Sequence, residues 1–267
     1  IPGVYVHRED MEIKLREWIG ARANIFVIAA EAGSGKTNLL VEIQKQYTER
    51  GMSTLLIRAG RLEKTTLHAQ LCYLLNIDER ENLAQYPAIA GKQEVPTFVL
   101  IDGLNEAHDA EKLWTELFEI SKSFEPGSLK FVVTSRANTA ADINRYGVIE
   151  EQESCLYGDN KEREKQVSAY THWLAALSME EMKLAWECYV QKDKSKFKPQ
   201  FDFDDLATFD RALYNQISNP LVLRLFLETY QGKNLPKKGK QHLNIWSDWL
   251  SSFSQPEQEF FNALANA

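Results

Sequence analysis

Residues 30–37 read AEAGSGKT, the most informative segment of the chain for its fold. It fits the pattern of a phosphate-binding P-loop, with alanine in the first glycine position. The apolar residues 24–29 before it are typical of a buried strand, and residues 36–50 after it have the spacing of a helix. A glycine-rich turn in this position brings successive backbone N–H groups and the positive end of the helix dipole to one point. The stretch therefore predicts an anion site, and the alternative is a strand-to-helix turn that binds nothing.

The residue types within this stretch suit a nucleoside triphosphate with magnesium. Gly33 and Gly35 allow the backbone to bend tightly and approach phosphate oxygens without an intervening Cβ. Lys36 would reach the β- and γ-phosphates as a point charge, and the Thr37 hydroxyl would be one ligand of Mg²⁺. We assign nucleotide binding to a continuous set: Ala32, Gly33, Ser34, Gly35, Lys36, Thr37 and Asn38.

Two later apolar stretches end in polar residues that would meet the P-loop at one edge of a parallel sheet. Residues 98–101 run into Asp102, which would hold the magnesium ion through water. Glu106, four residues on, could orient the attacking water or accept its proton. Residues 131–134 run into Arg136, which could contact the γ-phosphate or stabilise transition-state charge. We therefore predict Lys36 and these three charged residues as the catalytic set, with Thr37 and Asp102 at the metal.

Each of the three charged residues also has a purely structural interpretation. An aspartate at a strand end can cap a turn, and an acid at the start of a helix complements the helix dipole. An arginine at a sheet edge can form a surface salt bridge. The P-loop upstream favours the functional interpretation of Asp102, and we favour the functional interpretation of Glu106 and Arg136 as well.

Composition narrows the class of protein. The 267 residues are 44% hydrophobic and 26% charged, which suits one large domain or two small ones. The formal net charge of −7 argues against a broadly basic surface, so nucleic acid is not indicated as a partner. The three cysteines are far apart and suggest neither a disulfide framework nor a zinc site. Neither a stretch of the ~20 apolar residues that a membrane span requires nor a signal-peptide pattern is found, so we expect a cytoplasmic location and no membrane contact.

The order of predicted elements defines the fold class. Apolar stretches separated by helical ones are typical of a parallel sheet covered on both faces. The predicted strands lie at residues 24–29, 53–58, 97–101, 130–134 and, more weakly, 148–150, and the helices between them at 36–50, 65–75 and 106–123. After residue 155 no strand pattern returns, and the predicted helices lie at residues 162–177, 179–190, 205–217 and 220–230.

We therefore predict an α/β fold of the P-loop NTPase type, a three-layer αβα parallel sheet followed by a smaller all-helical domain. The predicted boundaries are residues 1–155 for the α/β domain and 156–250 for the helical domain. Residues 251–267 would begin a further helical segment that is truncated, because the chain ends inside a helical pattern. We expect the segment to come from a longer protein.

Together these motifs resemble the STAND class of P-loop NTPases, most closely its NACHT-type branch, which includes innate immune receptors and prokaryotic antiviral sensors. Residues 102–106, DGLNE, are similar to the Asp-Gly-Leu-Asp-Glu box of that family, and residues 133–136, VTSR, to its sensor strand. Residues 6–9, VHRE, resemble the segment that lies over the adenine. Residues 218–221, SNPL, resemble the helical-domain motif whose proline packs near the base. The resemblance covers residues 4–230.

This resemblance implies that Val6, Arg8 and Pro220 also bind the nucleotide. It implies a switch whose ATP or ADP state controls conformation and self-oligomerisation of a larger signalling or defence protein, with effector and sensor domains outside this segment. ATP or dATP is favoured because no Asn/Thr-Lys-x-Asp guanine-reading motif is found. Asn105 replaces an acidic residue of the box, which predicts slow hydrolysis, and His7 replaces the small residue usual before Arg8.

Three other functions stay open. The first is an AAA+ initiator or motor acting on nucleic acid or protein, although Gly103 replaces the acid expected directly after Asp102 and no trans-acting arginine is identifiable. The second is a small-molecule kinase, which would need an arginine-rich lid. The third is a scaffold that binds nucleotide without cleaving it, for which Asn105 is the one indication.

Overall fold

The computed structural model describes residues 4–85, 96–136, 155–158, 170–206 and 211–234, together with residues 245 and 249. The chain divides into two compact units. The first, which we call the sheet unit, comprises Arg8–Ala32 and Lys36–Ala175. The second, the helical unit, comprises Ile1–His7, Gly33–Gly35 and Ala176–Ala267. The predicted domain boundaries at residues 155 and 250 stay predictions.

In its described residues, the sheet unit contains five parallel strands in the order β2-β3-β4-β1-β5. The strands are β1 Ile25–Ala30, β2 Thr54–Arg58, β3 Thr97–Asp102, β4 Leu129–Arg136 and β5 Thr171–Trp173. All four pairings between neighbours are parallel. The predicted parallel sheet is therefore confirmed. The predicted strand at residues 148–150 lies outside the described residues.

The prediction of a helix at residues 162–177 is wrong where it can be compared. Thr171–Trp173 forms β5, which pairs with β1. Its register partners there are Val27, Ile28 and Ala29. A strand of three residues is too short to show a period of its own, and its pairing is decided by the neighbouring strand. Residues 159–169 lie outside the described part of the chain.

Helices cover both faces of the sheet within this unit. They are α1 Glu9–Ile19, α2 Lys36–Glu49, α3 Leu67–Leu75 and α4 Ala110–Lys122. On one face, Trp18 of α1 packs against Phe26 and Phe98, with ring centroids 5.5 and 6.1 Å apart. On the other face, one buried apolar cluster joins the alternate residues of β1, β3 and β4 to α3 and α4. Every residue of β1 is buried, which explains its continuous apolar sequence.

A buried lysine fixes the end of α1. Lys130, the second residue of β4, is fully buried. Its ammonium group donates to the carbonyl oxygens of Trp18 at 3.0 Å, Ala21 at 2.7 Å and Ala23 at 3.0 Å. A cation at this position supplies a donor to carbonyl groups at and just after the helix end, although the Trp18 carbonyl also accepts from the Ala21 backbone N–H at 2.9 Å. Burial lowers the pKa of Lys130 from 10.5 to about 8.

The helical unit contains five described helices. They are α5 Met179–Lys192, α6 Lys194–Phe197, α7 Phe203–Leu206, α8 Arg211–Ile217 and α9 Pro220–Thr229. Ser178 and Glu181 form a capping box at the start of α5. At the start of α9, the Asn219 side chain accepts from backbone N–H groups and Pro220 occupies the first turn, which is why this motif begins a helix. Trp186 and Phe226 belong to the buried core of the unit.

Three of the predicted helices correspond to these elements. Helices α5 and α9 match the predictions at residues 179–190 and 220–230. The third prediction, at residues 205–217, covers the end of α7 and all of α8, and residues 207–210 between them lie outside the described part. None of the helices in the described ranges has the length and apolar character needed to cross a bilayer.

Candidate functional site

The glycine turn after β1 has the backbone conformation that its sequence requires. Gly33 and Gly35 have φ angles of 76° and 93°, a region that residues with side chains rarely adopt. The turn groups with the helical unit, where the Gly33 carbonyl accepts from the Leu221 backbone N–H at 3.2 Å. A Cβ added at Gly33 would lie 2.8 Å from Asn219 Oδ1 and 2.8 Å from Leu221 Cβ. Gly33 therefore has both a conformational and a steric reason to be glycine.

Ser34, between the two glycines, contains an unsatisfied buried hydroxyl. The residue is 5% exposed, and its Oγ has no hydrogen-bond partner among the described residues. Buried hydroxyl groups in proteins nearly always have a partner. An oxygen of a phosphate group in the turn is the kind of partner that this position would accept.

Lys36 is the first residue of α2, and charged side chains of both signs lie near it. Its ammonium group donates to the backbone oxygens of Ala30 at 3.0 Å and Glu31 at 2.8 Å. Its pKa is lowered, first by burial and then by the positive charge of Arg136, while Asp102, Glu31 and Glu106 act in the opposite direction. Two cations that repel each other at one sheet edge favour an anion near both.

Asp102 is held by hydroxyl groups on both of its oxygens. The Thr37 hydroxyl donates to Asp102 Oδ2 at 2.8 Å, and the Thr134 hydroxyl donates to Asp102 Oδ1 at 3.0 Å. Thr134 also accepts from the Gly103 backbone N–H at 2.9 Å. Thr134 is fully buried, so this pair of bonds leaves the Asp102 carboxylate with a defined orientation.

Thr134 belongs to the VTSR motif, and its place in the sequence alone predicts no role for it. A signal for its role exists in the sheet register, because Ile101 of β3 is opposite Val133 of β4. The residues that follow this pair on the two strands are Asp102 and Thr134. Once the two strands are taken as parallel neighbours in this register, a hydroxyl beside the strand-end carboxylate is expected.

The donor atoms at Thr37 and Asp102 suit Mg²⁺. The two side-chain oxygens are 2.8 Å apart, and hydroxyl and carboxylate oxygens are the hard ligands that this ion prefers. Over the described ranges, no group of three or more His, Cys, Asp or Glu side chains is arranged to hold a metal ion. One carboxylate with one hydroxyl matches the usual way in which Mg²⁺ is bound, with waters and phosphate oxygens completing its ligands.

The segment after Asp102 turns back toward the end of the strand. Gly103 has φ 74°, and the 3₁₀ turn Leu104–Glu106 follows it. The Glu106 carboxyl carbon lies 2.9 Å from the place that a Cβ on Gly103 would occupy. Asn105 accepts through its side-chain oxygen from the Arg136 backbone N–H at 3.0 Å. Asn105, which in sequence is simply a missing carboxylate, therefore ties this turn to the end of β4.

The structure brings Lys36, Thr37, Asp102, Glu106 and Arg136 into one region of the sheet unit. Direct hydrogen bonds or mutual electrostatic effects connect all five. Their assigned roles in nucleotide binding and catalysis stay predictions.

The other predicted residues lie in several places. Val6 packs against the core of the helical unit, and Pro220 begins α9 with its Cγ 3.8 Å from the place of a Cβ on Gly35. Arg8 belongs to the sheet unit, is buried, and donates to the Ala175 carbonyl. Asn38 is half-buried in the first turn of α2, and Ala32 is exposed. Their contact with a nucleotide also stays a prediction.

Comparison with known proteins identifies the class of fold. No protein-family model and no curated protein sequence matches the chain. Domain III of the Thermotoga maritima replication initiation protein DnaA is similar with a TM-score of 0.51 and 15% identity, over 95% of each chain. The Aeropyrum pernix Orc1 protein, solved in complex with DNA, is similar with a TM-score of 0.50 and 11% identity, over 94% of this chain and 66% of that one. A DNA replication initiation factor matches with a TM-score of 0.42 and 12% identity, over 70% of this chain and 52% of that one.

The chain thus spans between half and two thirds of the length of the last two structures. At identities this low, the likeness concerns the fold alone. The protein has an α/β fold similar to that of AAA+ P-loop ATPase domains, with a five-stranded parallel sheet and helices. The predicted fold class is confirmed.

Proposed function

We propose that this chain binds ATP with Mg²⁺ and hydrolyses it slowly. The main support for the proposal is the hydrogen bond of 2.8 Å from the Thr37 hydroxyl to the Asp102 carboxylate. Thr37 is the second residue of α2, which begins at Lys36 directly after the glycine turn. A hydroxyl, a carboxylate and a lysine around such a turn are what a magnesium nucleotide requires.

Each residue of the site has a defined task in this proposal. The backbone N–H groups of the turn and the Lys36 ammonium group bind the β- and γ-phosphates. Thr37 and Asp102 hold Mg²⁺, which neutralises charge on the phosphate oxygens when bound. Glu106 orients the attacking water and accepts its proton, and Arg136 contacts the γ-phosphate. Thr134 acts through Asp102 by fixing its orientation.

We further propose that ATP binding and hydrolysis serve as a switch, as in STAND and NACHT-type signalling or antiviral defence proteins. The support is the DGLNE box with the VTSR strand end, which Asn105 and Arg136 join by a hydrogen bond of 3.0 Å. A switch requires that ATP and ADP interact differently with two conformations, and the γ-phosphate contacts of Lys36 and Arg136 supply such a difference. The expected outcome is ATP-dependent self-oligomerisation of the longer protein, with ADP favouring the inactive state.

The second candidate is an AAA+ initiator-like ATPase that acts on nucleic acid or protein. It is favoured by the likeness to DnaA domain III along 95% of the chain and to an Orc1 protein solved with DNA. The formal net charge of −7 weighs against it, because DNA contacts rely mostly on basic residues.

Lys36→Ala tests the nucleotide site. We expect its affinity for ATP in the presence of Mg²⁺ to fall by about 100-fold, because the lysine supplies a charged contact to two phosphates. Lys45→Ala is the matched control, since Lys45 is exposed on the same helix. Isothermal titration with ATP and ADP measures the effect. Equal affinities in the wild type and Lys36→Ala would remove the proposed site.

Two readouts on the wild type then separate the candidate functions. A switch assembles on ATP addition, which sedimentation velocity of the longer protein detects, and its turnover does not respond to DNA. An initiator-like ATPase shows turnover that rises when duplex or single-stranded DNA is added. ATP that is bound and stays intact through a single-turnover experiment would contradict the hydrolytic part of the proposal.

A further inference from the structure

A glycine outside every motif described above lies directly against Glu106. Gly60 belongs to the 3₁₀ turn Ala59–Arg61 that follows β2. A Cβ added at Gly60 would lie 3.0 Å from the backbone oxygen of Glu106 and 3.2 Å from its Cβ. Gly60 is not among the described glycines with positive φ, so its backbone conformation does not require glycine. The reason for glycine at this position is the space that Glu106 occupies.

A second glycine limits Glu106 on its carboxyl side. A Cβ on Gly103 would lie 2.9 Å from the Glu106 carboxyl carbon and 3.1 Å from its Oε2. The Glu106 backbone N–H also donates to the Gly103 carbonyl at 2.7 Å. The Glu106 side chain is exposed and has no packing of a core residue to restrain it. Its position therefore depends on close approach to two glycines, one at its backbone and one at its carboxylate.

We propose that Gly60 is a positioning residue of the hydrolytic site, because its missing side chain lets Glu106 approach and sets where the Glu106 carboxylate lies. This inference rests on the proposed ATP hydrolysis, with Glu106 orienting the attacking water. A methyl group at position 60 meets a backbone carbonyl rather than a flexible side-chain end, so the turn itself must shift by some tenths of an ångström. Displacement of a catalytic carboxylate lowers the rate of chemistry. We expect phosphate binding to stay unchanged, because the atoms nearest to the added methyl group all belong to Glu106.

The test compares Gly60→Ala with Gly20→Ala. Gly20 lies at the end of α1, where an added Cβ meets its nearest atom at an ordinary 3.6 Å, so this control adds the same methyl group without conflict. With enzyme in excess over ATP, we expect Gly60→Ala to cleave about tenfold more slowly than the wild type. Its Kd for ATP is expected to stay within about twofold of the wild-type value, and Gly20→Ala to match the wild type in both measurements.

A double-mutant cycle separates positioning from general damage. In a Glu106→Gln background, Gly60→Ala is expected to cause no further loss of rate, because its effect acts only through the Glu106 carboxylate. A tenfold loss in both backgrounds would overturn the inference, and so would a wild-type cleavage rate in Gly60→Ala. A wild type that binds ATP and does not cleave it would instead contradict the proposed function itself.

A second pair of variants covers the case in which Gly60→Ala does not fold. Gly103→Ala adds a methyl group at the carboxyl side of Glu106, but its φ of 74° also strains the backbone. Gly51→Ala has the same kind of strain, with φ 79°, and nothing within 4 Å of the added Cβ. We expect the rate loss in Gly103→Ala alone, and an equal loss in Gly51→Ala would overturn the inference.

Discussion

At the start of β4, Lys130 is fully buried and donates to three backbone carbonyls, whereas at the end of the same strand Thr134 and Arg136 lie beside carboxylates and a second lysine. Burial alone lowers the pKa of Lys130, while the pKa of Lys36 also responds to four neighbouring charges. The first lysine is satisfied by the protein itself. The second lies among charges that a polyphosphate with a divalent cation would balance. Lys130 thus stabilises the fold at one end of β4, whereas we propose that the residues near the other end bind a magnesium nucleotide.

Lys130→Met is expected to destabilise the fold at the start of β4. The change removes a donor from three carbonyls at and just after the end of α1, of which the Trp18 carbonyl keeps the Ala21 backbone N–H, and acceptors left unpaired cost free energy. We expect the free energy of unfolding to fall by about 2–4 kcal/mol, with ATP affinity of the folded protein unchanged. Urea denaturation measures the loss, and Lys45→Met on the exposed face of α2 is the control. Equal stability of the two variants would show that these bonds contribute nothing.

Thr134→Val is expected to weaken the proposed Mg²⁺ site at the end of β4. The substitution keeps the shape and removes the hydroxyl that orients Asp102, so Mg²⁺ should bind less well in the presence of ATP. We expect the Mg²⁺ concentration for half-maximal ATP cleavage to rise about tenfold, and Thr134→Ser to restore it to within about twofold. A purely structural role for Thr134 would lower stability and leave this Mg²⁺ dependence as in the wild type.

The smallest expected effect is on the pH dependence of stability, and it comes from the lowered pKa of Lys130. Below pH 8, Lys130 is protonated in both folded and unfolded chains. Between pH 8 and its ordinary pKa of 10.5, the folded chain releases the proton while the unfolded chain keeps it, so this residue adds stability as pH rises. We expect the unfolding free energy of the wild type, relative to Lys130→Met, to rise by about 1 kcal/mol from pH 8 to 9. Urea titrations of both proteins at these two pH values measure it, and a flat difference would contradict the lowered pKa.

Local patterns were sufficient for the centre of the fold. The strand before the glycine turn, the turn itself and helix α2 are contiguous in sequence, and each has a strong signal of its own. Strand β5 could not be predicted in this way, since Thr171–Trp173 is defined by its pairing with β1. Residues 162–177 have a helical spacing, but at residues 171–173 the pairing with β1 overrides it.

The same division applies to the site. Lys36, Thr37 and Asp102 follow from motifs that place each residue at a strand end or a helix start. The proposed roles of Thr134 and Gly60 come from their contacts. Thr134 contacts Asp102, which is 32 positions away in sequence. Gly60 lies against Glu106, which is 46 positions away (106 − 60). A buried hydroxyl and a glycine are common in any sequence, so their type alone indicates no role.

Local sequence was sufficient to predict the glycine turn, the alternation of strands and helices, and the residue types suited to a magnesium nucleotide, because these depend on neighbours within a few positions. The contacts that these residues make became visible only in the folded chain, which shows what each side chain touches. It placed Thr134 on Asp102, tied Asn105 to the end of β4, and set Gly60 against Glu106. The physical reason is that parallel strands join residues distant in sequence at one edge, and hydrogen bonding and close packing there depend on distances that no local pattern encodes.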